Sequence, residues 1–277
     1  MVGRARPDTV LIPAGRWPMG SDRHYPEERP ARSVELGAFR IDRTPVTNAA
    51  CAAFVAETGH VTLAERSDPA GSAVFVPTDG PVPLGNPTRW WRFQPGASWR
   101  APQGPGSSLH GLEDHPVVHV ALDDARAFAA WRGARLPSEA EWEAAARGGL
   151  GDVEHVWGEA FMPDGRLMAN VWTGAFPWYF ARGDQAGTMP VGAFPANGFG
   201  LLDMIGNVWE WTTSPYHGAA GGGCCSLSGE GALVALKGGS HLCAGEYCAR
   251  YRAPARIGVT PDTSTGHVGF RCVEDVA

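Results

Sequence analysis

The chain has 277 residues, of which 44% are hydrophobic and 19% are charged, with a formal net charge of −6. This length suffices for one large or two ordinary domains, and the absence of a basic run argues against nucleic acid as a partner. The chain has no apolar run of 18 residues and no apolar stretch at its N-terminus, so we expect neither a membrane span nor a signal peptide.

Two strands and one helix are predicted near the start of the chain. Short apolar runs predict strands over residues 9–12 and 39–41. Apolar residues at helical spacing predict a helix over residues 49–57, with Pro45 at its start and Gly59 as the residue that ends it. One face of this helix should therefore be buried.

A long segment without clear periodicity follows. Residues 65–116 are rich in Pro, Gly, Ser and Trp, and loops of this length are usually functional or disordered. Trp90, Trp91 and Trp99 favour order, because indole rings need apolar partners. We therefore expect a long, ordered loop over the surface, with its part from Trp90 to Trp99, which includes Phe93, as a candidate wall for a bound peptide.

Two further helices are predicted in the middle of the chain, over residues 122–133 and 136–147. In the second of these, Ser138 followed three residues later by Glu141 is a capping box. Beyond it we expect only short strands, at residues 189–194, 208–213, 234–237, 249–251 and 269–273. The pattern predicts a single α+β domain over residues 1–277 with few helices and much irregular backbone.

Two cysteines in a Gly-, Ser- and Arg-rich segment carry the strongest chemical signal. Cys243 and Cys248 lie five positions apart, so their sulfurs converge only if the chain turns, which Gly245 allows. Converged thiols suit a disulfide or Cu(I), which favours thiolates. The positive charge of Arg250 would favour the thiolate form. Two half-buried structural thiols are the alternative.

The spacing of two histidines is also compatible with a metal-binding site. His115 and His119 could form a metal pair on a helix, but Pro116 and the neighbouring valines predict an extended chain. We therefore favour structural or surface histidines here.

Two loops carry hard oxygen ligands. Asp203 and Glu210 flank a Gly-Asn turn whose backbone carbonyls could complete a Ca²⁺ site. Asn170 and Asp184 form a weaker pattern of the same kind. From chemistry alone we favour side chains that cap or hydrogen-bond nearby amides in both loops.

Several segments resemble the formylglycine-generating enzymes, which modify sulfatases. Residues 135–143 (RLPSEAEWE), 206–211 (GNVWEW) and 238–240 (GGS) are similar to landmarks of a wider superfamily, which includes non-haem iron sulfoxide synthases and inactive paralogues. The narrower signal is Cys243-x4-Cys248 followed by Arg250-Tyr251-Arg252, which is similar to the copper-dependent branch. The resemblance covers nearly the whole chain.

The resemblance implies a fold with little regular secondary structure, related to C-type lectin domains. It also implies that Cys243 and Cys248 hold Cu(I) as a bis-thiolate and that Trp209 and Ser240 line an oxygen pocket. Contrary to the interpretation from chemistry alone, it implies two structural calcium sites. Their ligands would be Asn170, Val171 and Asp184 in the first, and Asp203, Gly206, Val208 and Glu210 in the second.

The substrate implied by the resemblance is a cysteine in a Cys-x-Pro-x-Arg segment of an unfolded or extended sulfatase chain. Its thiolate would join the copper as a third sulfur ligand, O₂ would bind, and a hydrogen would leave the Cβ atom. The resulting thioaldehyde would hydrolyse to an aldehyde, with a thiol reductant supplying the remaining electrons. We expect a monomer without a membrane partner.

Cysteine usage favours a reducing cytoplasm. In the secretory-pathway relatives a disulfide partner for Cys272 is expected at the position of Ala146, and its absence agrees with a cytoplasmic bacterial form. Two alternative functions remain: a non-haem iron sulfoxide synthase, and a non-catalytic, calcium-stabilised binding module. The missing His-x3-His-x-Glu signature argues against the first, and the cysteine pair against the second.

Overall fold

The computed structural model describes residues 8–183, 186–217 and 232–276, and these ranges consist mainly of short strands and irregular backbone. The strands are β1 (Thr9–Ile12), β2 (Gly15–Met19), β3 (Arg32–Leu36), β4 (Phe39–Asp42), β5 (Gly71–Phe75), β6 (Trp91–Pro95), β7 (Trp209–Pro215), β8 (Val234–Lys237), β9 (Arg256–Val259), β10 (Val268–Gly269) and β11 (Val273–Asp275). The helices are α1 (Asn48–Thr58), α2 (Leu63–Arg66), α3 (Leu122–Arg132) and α4 (Glu139–Ala146).

The three predicted helices are confirmed as α1, α3 and α4. The side chain of Thr47 caps α1 by accepting from the Ala50 amide, and Gly59 ends it at φ 69°. Pro45 precedes this cap, so its predicted place at the helix start is wrong. Ser138 caps α4 in the predicted capping box, and the helix therefore begins after the proline-containing stretch that the prediction had included.

Two main sheets and two hairpins organise the strands. The larger sheet has the order β10-β7-β8-β9, in which only the β10–β7 pair is parallel, and the second has the order β1-β4-β11. Strands β2 and β3 pair with each other, as do β5 and β6. The predicted strands at residues 9–12, 39–41, 208–213 and 234–237 are confirmed, with small shifts at their ends.

The prediction of a surface loop over residues 65–116 is wrong. The segment contains the end of α2 and the β5–β6 hairpin, and Trp90, Trp91 and Trp99 are all buried. Three indole rings carry so much apolar surface that burying them is strongly favourable. The high Gly and Pro content concealed a hairpin that packs these rings inward.

Two other predicted strands are absent. Residues 189–194 form bends around Gly192, which has φ 80°. Residues 249–251 do not extend, because the Arg250 amide donates to the Cys248 carbonyl two residues earlier at 2.8 Å. The prediction at residues 269–273 merged the end of β10 with the start of β11, and β2, β3 and β9 were missed.

The largest apolar cluster packs α1 and α3 against the four-stranded sheet. It contains Trp209 and Trp211 of β7 together with both Cys243 and Cys248. In the part of the chain that the structure describes, no helix is long and apolar enough to cross a membrane. The cysteine pair therefore lies in the interior of the domain, beside the sheet.

The capping box of α4 provides a test of this fold. The Ser138 hydroxyl accepts from the Glu141 amide at 3.2 Å, and the Glu141 carboxylate accepts from the Ser138 amide at 2.7 Å. We expect Ser138→Ala to lower the free energy of unfolding by about 1 kcal/mol in urea denaturation. Ser33→Ala, at an exposed position of β3, should change it much less, and equal losses in both variants would contradict the cap's contribution.

Candidate active site

Cys243 and Cys248 converge in the structure. Both are fully buried, and their Sγ atoms lie 3.6 Å apart. This exceeds the length of a disulfide bond, about 2 Å, so the two residues are thiols in contact. The turn that joins them closes when the Cys248 amide donates to the Ala244 carbonyl at 2.8 Å.

The glycines that this cysteine turn (residues 243–248) requires lie before it. Gly239 has φ 74°, and a Cβ atom there would lie 2.6 Å from the Arg250 carbonyl oxygen and 3.3 Å from the Cys243 sulfur. Gly238 also has a positive φ, of 97°. Gly245, which the sequence suggested as the turning point, does not have a positive φ. The close approach of backbone to sulfur thus explains Gly239, whereas a Cβ atom at Gly238 would lie 3.0 Å from the Met204 carbonyl oxygen and from the Trp142 ring.

Polar groups surround the sulfur pair on two sides. The Ser240 amide donates to the Cys243 sulfur at 3.4 Å, and Arg250 Nη1 lies 3.7 Å from the Cys248 sulfur. Arg250 is only 4% exposed. Both contacts present positive charge or a donor to sulfur, which stabilises a thiolate.

Three residues near the N-terminus complete this side of the site. Tyr25 lies under the Arg250 guanidinium, at 3.9 Å from ring centroid to Cζ. Glu27 forms an ion pair with Arg250, and Glu28 with Arg252. Sequence reasoning missed all three, because 223 residues separate Glu27 from Arg250 and no local pattern connects them.

Trp209 and Ser240 are both fully buried, and Trp209 shares the apolar cluster of the cysteine pair. The indole Nε1 of Trp209 has no hydrogen-bond partner among the described residues. The Ser240 hydroxyl accepts from the Leu242 amide at 3.2 Å. The indole Nε1 atoms of Trp90 and Trp99 are in the same state, so this feature is not specific to Trp209.

Aromatic rings pack against the outer side of the cysteine turn. Tyr247 stacks on Phe176 with centroids 4.9 Å apart and an angle of 9° between planes. Trp90 packs edge-on against both rings at 5.3 Å. The Glu246 carboxylate accepts from the Phe176 amide at 2.7 Å. Trp90 is thus a buried ring that packs against the turn, whereas Phe93, in the same predicted wall, is exposed.

The two carboxylates of the second predicted calcium loop have different partners among the described residues. Asp203 is bonded to a backbone amide, and Glu210 is paired with an arginine. Asp203 accepts from the Gly192 amide at 2.6 Å, and burial raises the pKa of its carboxyl group. Both oxygens of Glu210 accept from the Arg271 guanidinium at 2.7 Å, and one also accepts from the Trp142 indole. Asp203 therefore fits a cation ligand, while the charge of Glu210 is already balanced by Arg271.

The first predicted calcium loop packs directly on the second. The Asn170 carbonyl accepts from the Asn207 amide at 2.8 Å, and a Cβ atom at Gly206 would lie 2.4 Å from that carbonyl oxygen. The side-chain oxygen of Asn170 accepts from Arg182 at 2.5 Å, and Val171 is fully buried. Asp184 lies outside the described residues.

The two histidines with metal-pair spacing have separate hydrogen-bond partners. His119 is fully buried, with Nδ1 2.8 Å from the Ser72 hydroxyl and Nε2 2.9 Å from the Pro102 carbonyl. His115 Nδ1 lies 2.9 Å from the Thr188 hydroxyl. These contacts agree with the structural interpretation that the sequence favoured.

A family comparison and a comparison with individual proteins identify the same family for this chain. The family described as sulfatase-modifying factor enzyme 1-like domain matches residues 2–276. The formylglycine-generating enzyme of Mycobacterium tuberculosis is 50% identical over 296 residues, covering 97% of this chain and 98% of that protein. The chain belongs to the sulfatase-modifying factor family.

Two further proteins are similar to this chain over most of its length. The inactive C-alpha-formylglycine-generating enzyme 2 of Mus musculus is 41% identical over 285 residues, covering 96% of this chain and 85% of that protein. The solved structure of PvdO from Pseudomonas aeruginosa is 26% identical, with a TM-score of 0.64, over 98% of this chain and 95% of that one. The expected fold, a single sulfatase-modifying domain of mixed helix and sheet, is confirmed.

Burial of His119 predicts a pH dependence of the free energy of unfolding. Burial lowers the pKa of His119 from 6.5 to about 4, so between these values the unfolded chain binds a proton that the folded chain does not. The free energy of unfolding should therefore fall as the pH falls from 6.5 to 4. In His119→Gln, the slope of this fall should be shallower by up to about 1.4 kcal/mol per pH unit.

Urea denaturation at a series of pH values measures these slopes. His110 is exposed, so His110→Gln is the matched control and should keep the slope of the unmodified protein. A slope for His119→Gln that equals the control would contradict the proposed neutral state of this histidine.

Proposed function

We propose that this chain is a formylglycine-generating oxidase that uses Cu(I) held by Cys243 and Cys248. It converts a cysteine in a Cys-x-Pro-x-Arg segment of an extended sulfatase chain to formylglycine with O₂. The observation that carries the proposal is the pair of buried thiols 3.6 Å apart, in a chain 50% identical to a formylglycine-generating enzyme.

The donor set of this site fits Cu(I). Among the described residues, no group of three or more His, Cys, Asp or Glu side chains could hold a metal ion, so Zn²⁺, which takes four ligands in structural sites and three protein ligands in catalytic ones, is disfavoured. Soft thiolates select Cu(I), and two buried sulfurs leave room for a third from the substrate. When bound, copper supplies one-electron chemistry with O₂.

The residues around the sulfurs have roles that follow from their contacts. Trp209 and Ser240, both fully buried, would line a pocket for O₂ near the sulfur pair. Full burial of Cys243 and Cys248 excludes water from the oxidation, which protects reactive sulfur species from side reactions.

The reaction balances with one O₂ and two added electrons. The substrate loses both its thiol sulfur and one hydrogen of its CH₂ group, so a CH₂SH side chain becomes a CHO group. With two electrons and two protons from a thiol reductant, the other products are one H₂S and one H₂O. The water that hydrolyses the thioaldehyde must enter after the oxidation step.

We also propose a cytoplasmic monomer. Cys51 and Cys272 are buried thiols, and burial raises the pKa of Cys51 to about 12, which makes it unreactive at neutral pH. Such thiols are compatible with a reducing compartment. In the part of the chain that the structure describes, the remaining cysteines are Cys243 and Cys248, and this pair is then the chemically relevant one.

The proposed roles of the two cysteines predict the effect of their replacement. Cys243→Ser and Cys248→Ser should each abolish conversion of a Cys-x-Pro-x-Arg peptide by copper-loaded protein under air, because serine cannot replace a soft thiolate. Cys51→Ser should retain activity. Mass spectrometry of the peptide detects loss of its sulfur and gain of the aldehyde.

The same variants separate this function from that of a non-catalytic binding module. The mouse relative that is described as inactive makes this comparison necessary. A binding module would bind the peptide equally well in all variants and convert it in none. If the unmodified protein binds copper and still leaves the peptide intact, the oxidase proposal is wrong.

For the second calcium loop, we propose that Asp203 is the anionic ligand, with the carbonyls of Gly206 and Val208. Glu210 is the remaining proposed ligand, although Arg271 already balances part of its charge. In the first loop, Asn170, Val171 and Asp184 are the proposed ligands. The raised pKa of Asp203 supports a cation here, because a bound cation would stabilise the desolvated carboxylate.

Calcium at this loop predicts a stabilisation that depends on Asp203. In chelator-treated protein, Ca²⁺ at 100 times its dissociation constant should raise the free energy of unfolding by about 2.7 kcal/mol. Asp203→Asn should lose most of this gain, whereas Asp114→Asn, at an exposed position, should keep it. Thermal unfolding with and without Ca²⁺ measures the gain, and an equal response of both variants would exclude Asp203 as a ligand.

A further inference from the structure

A short segment near the N-terminus encloses the arginine that contacts the cysteine pair. Residues 25–28, which we name the N-terminal clasp, form a tight turn in which the Glu28 amide donates to the Tyr25 carbonyl at 3.0 Å. Glu27 accepts from Arg250 Nη2 at 2.5 Å and from Nε at 3.2 Å. The ring of Tyr25 covers one face of the same guanidinium. Two of the five donors of Arg250 are therefore bound by one carboxylate.

The clasp is itself held in place, so it can position Arg250. Glu28 accepts from Arg252 through both oxygens, at 2.8 and 2.9 Å. The Ser21 amide donates to the Glu28 carbonyl at 3.0 Å, and the neighbouring Gly20 amide donates to Glu143 of α4 at 2.8 Å. The position of Glu27 is thus determined by the core of the domain.

The remaining edge of the Arg250 guanidinium faces the site. With Nε and Nη2 directed to Glu27, Nη1 lies 3.7 Å from the Cys248 sulfur. The planar guanidinium has a fixed fork of donors, so the direction of two nitrogens determines the direction of the third. Rotation of Arg250 away from sulfur would break its contacts with Glu27.

A charge argument shows why this position is important. Two thiolates and one Cu(I) carry a net charge of −1, and this charge lies in a buried site where electrostatic interactions are strong. Arg250 is the cation that the structure places at that centre. We propose that Glu27 is a positioning residue that holds the Arg250 guanidinium against Cys248 and thereby stabilises the anionic sulfur centre. The copper part of this inference rests on the proposed function.

The affinity for Cu(I) tests the inference without any measurement of activity. Partners outside the first ligand shell typically change metal affinity 10- to 100-fold when they are replaced. We expect Glu27→Gln to weaken Cu(I) binding about tenfold, as measured anaerobically by competition with a chromophoric Cu(I) chelator. Since Glu27 acts through Arg250, adding Glu27→Gln to Arg250→Gln should cause no further loss.

The chain offers a matched control in the neighbouring ion pair. Glu28→Gln breaks a contact of the same kind, in the same clasp, at a more deeply buried carboxylate. The partner of Glu28 is Arg252 rather than Arg250. A purely structural effect would therefore be at least as large in Glu28→Gln, whereas the inference predicts that Glu28→Gln weakens Cu(I) binding less than Glu27→Gln does.

A second measurement needs no copper. In metal-free protein, the rates at which iodoacetate and iodoacetamide alkylate Cys248 are compared by peptide mass spectrometry. Both reagents attack the thiolate and have similar size, so their rate ratio reports the local charge at sulfur. The ratio of the iodoacetate rate to the iodoacetamide rate should fall in Glu27→Gln, and it should fall less in Glu28→Gln.

The Cu(I) affinity and the alkylation ratio of Glu27→Gln can each overturn the inference. An unchanged or increased Cu(I) affinity in Glu27→Gln, or an increased alkylation ratio, would overturn the inference, because the negative charge of Glu27 would then outweigh its positioning effect. An additive loss in the double variant would also overturn it. If the variants follow the predicted order but the unmodified protein leaves the peptide intact, the proposed function fails and the inference stands.

Discussion

Arg271 has no exposed surface, and its guanidinium donates to six acceptors in three separate parts of the chain. Two bonds go to the Glu210 carboxylate of β7. The other four go to the backbone carbonyls of Asp42, Arg43, Leu202 and Asp203. Removing one partner of such a buried pair typically costs about 3–5 kcal/mol. Arg271 therefore fixes the end of β4 and the loop before β7 relative to the four-stranded sheet.

The position of the cysteine turn depends on this arrangement. The backbone carbonyl of Asn207, just before β7, accepts from the His241 amide at 3.0 Å and from its Nδ1 at 2.8 Å. His241 immediately follows Ser240 and precedes Cys243 by two residues. The constraint thus extends from the buried ion pair through Asn207 to the sulfur atoms. Trp209, which lies between Asn207 and Glu210, is held by the same segment.

The features that were predictable from the sequence are those with local causes. The capping box at Ser138 and the glycine at 59 are signals within one helical turn, and both are observed. Convergence of Cys243 and Cys248 could be recognised as a requirement, because a five-residue spacing closes only through a turn. The β5–β6 hairpin was hidden, since its stability comes from burying Trp91 and its neighbours rather than from a regular alternation.

The features that were not predictable are long-range ion pairs. Glu27 and Arg250 are 223 residues apart, and Glu210 and Arg271 are 61 apart. In the sequence each is one of many charged residues, and charged side chains are ordinarily at the surface. Only the folded chain shows which of them are desolvated and paired. The site consequently depends on residues whose individual sequence context carries no functional signal.

Burial of the sulfur pair also limits how a peptide can reach it. Trp209 and the sheet close the inner side of the cysteine turn, and the N-terminal clasp with Arg250 closes another. Stacking of Tyr247 on Phe176 covers a third side. Gly245 and Glu246 are the exposed residues of the turn. Since Arg250 and Trp209 are each held by the core, approach from the side of Gly245 and Glu246 disturbs the fewest of these contacts.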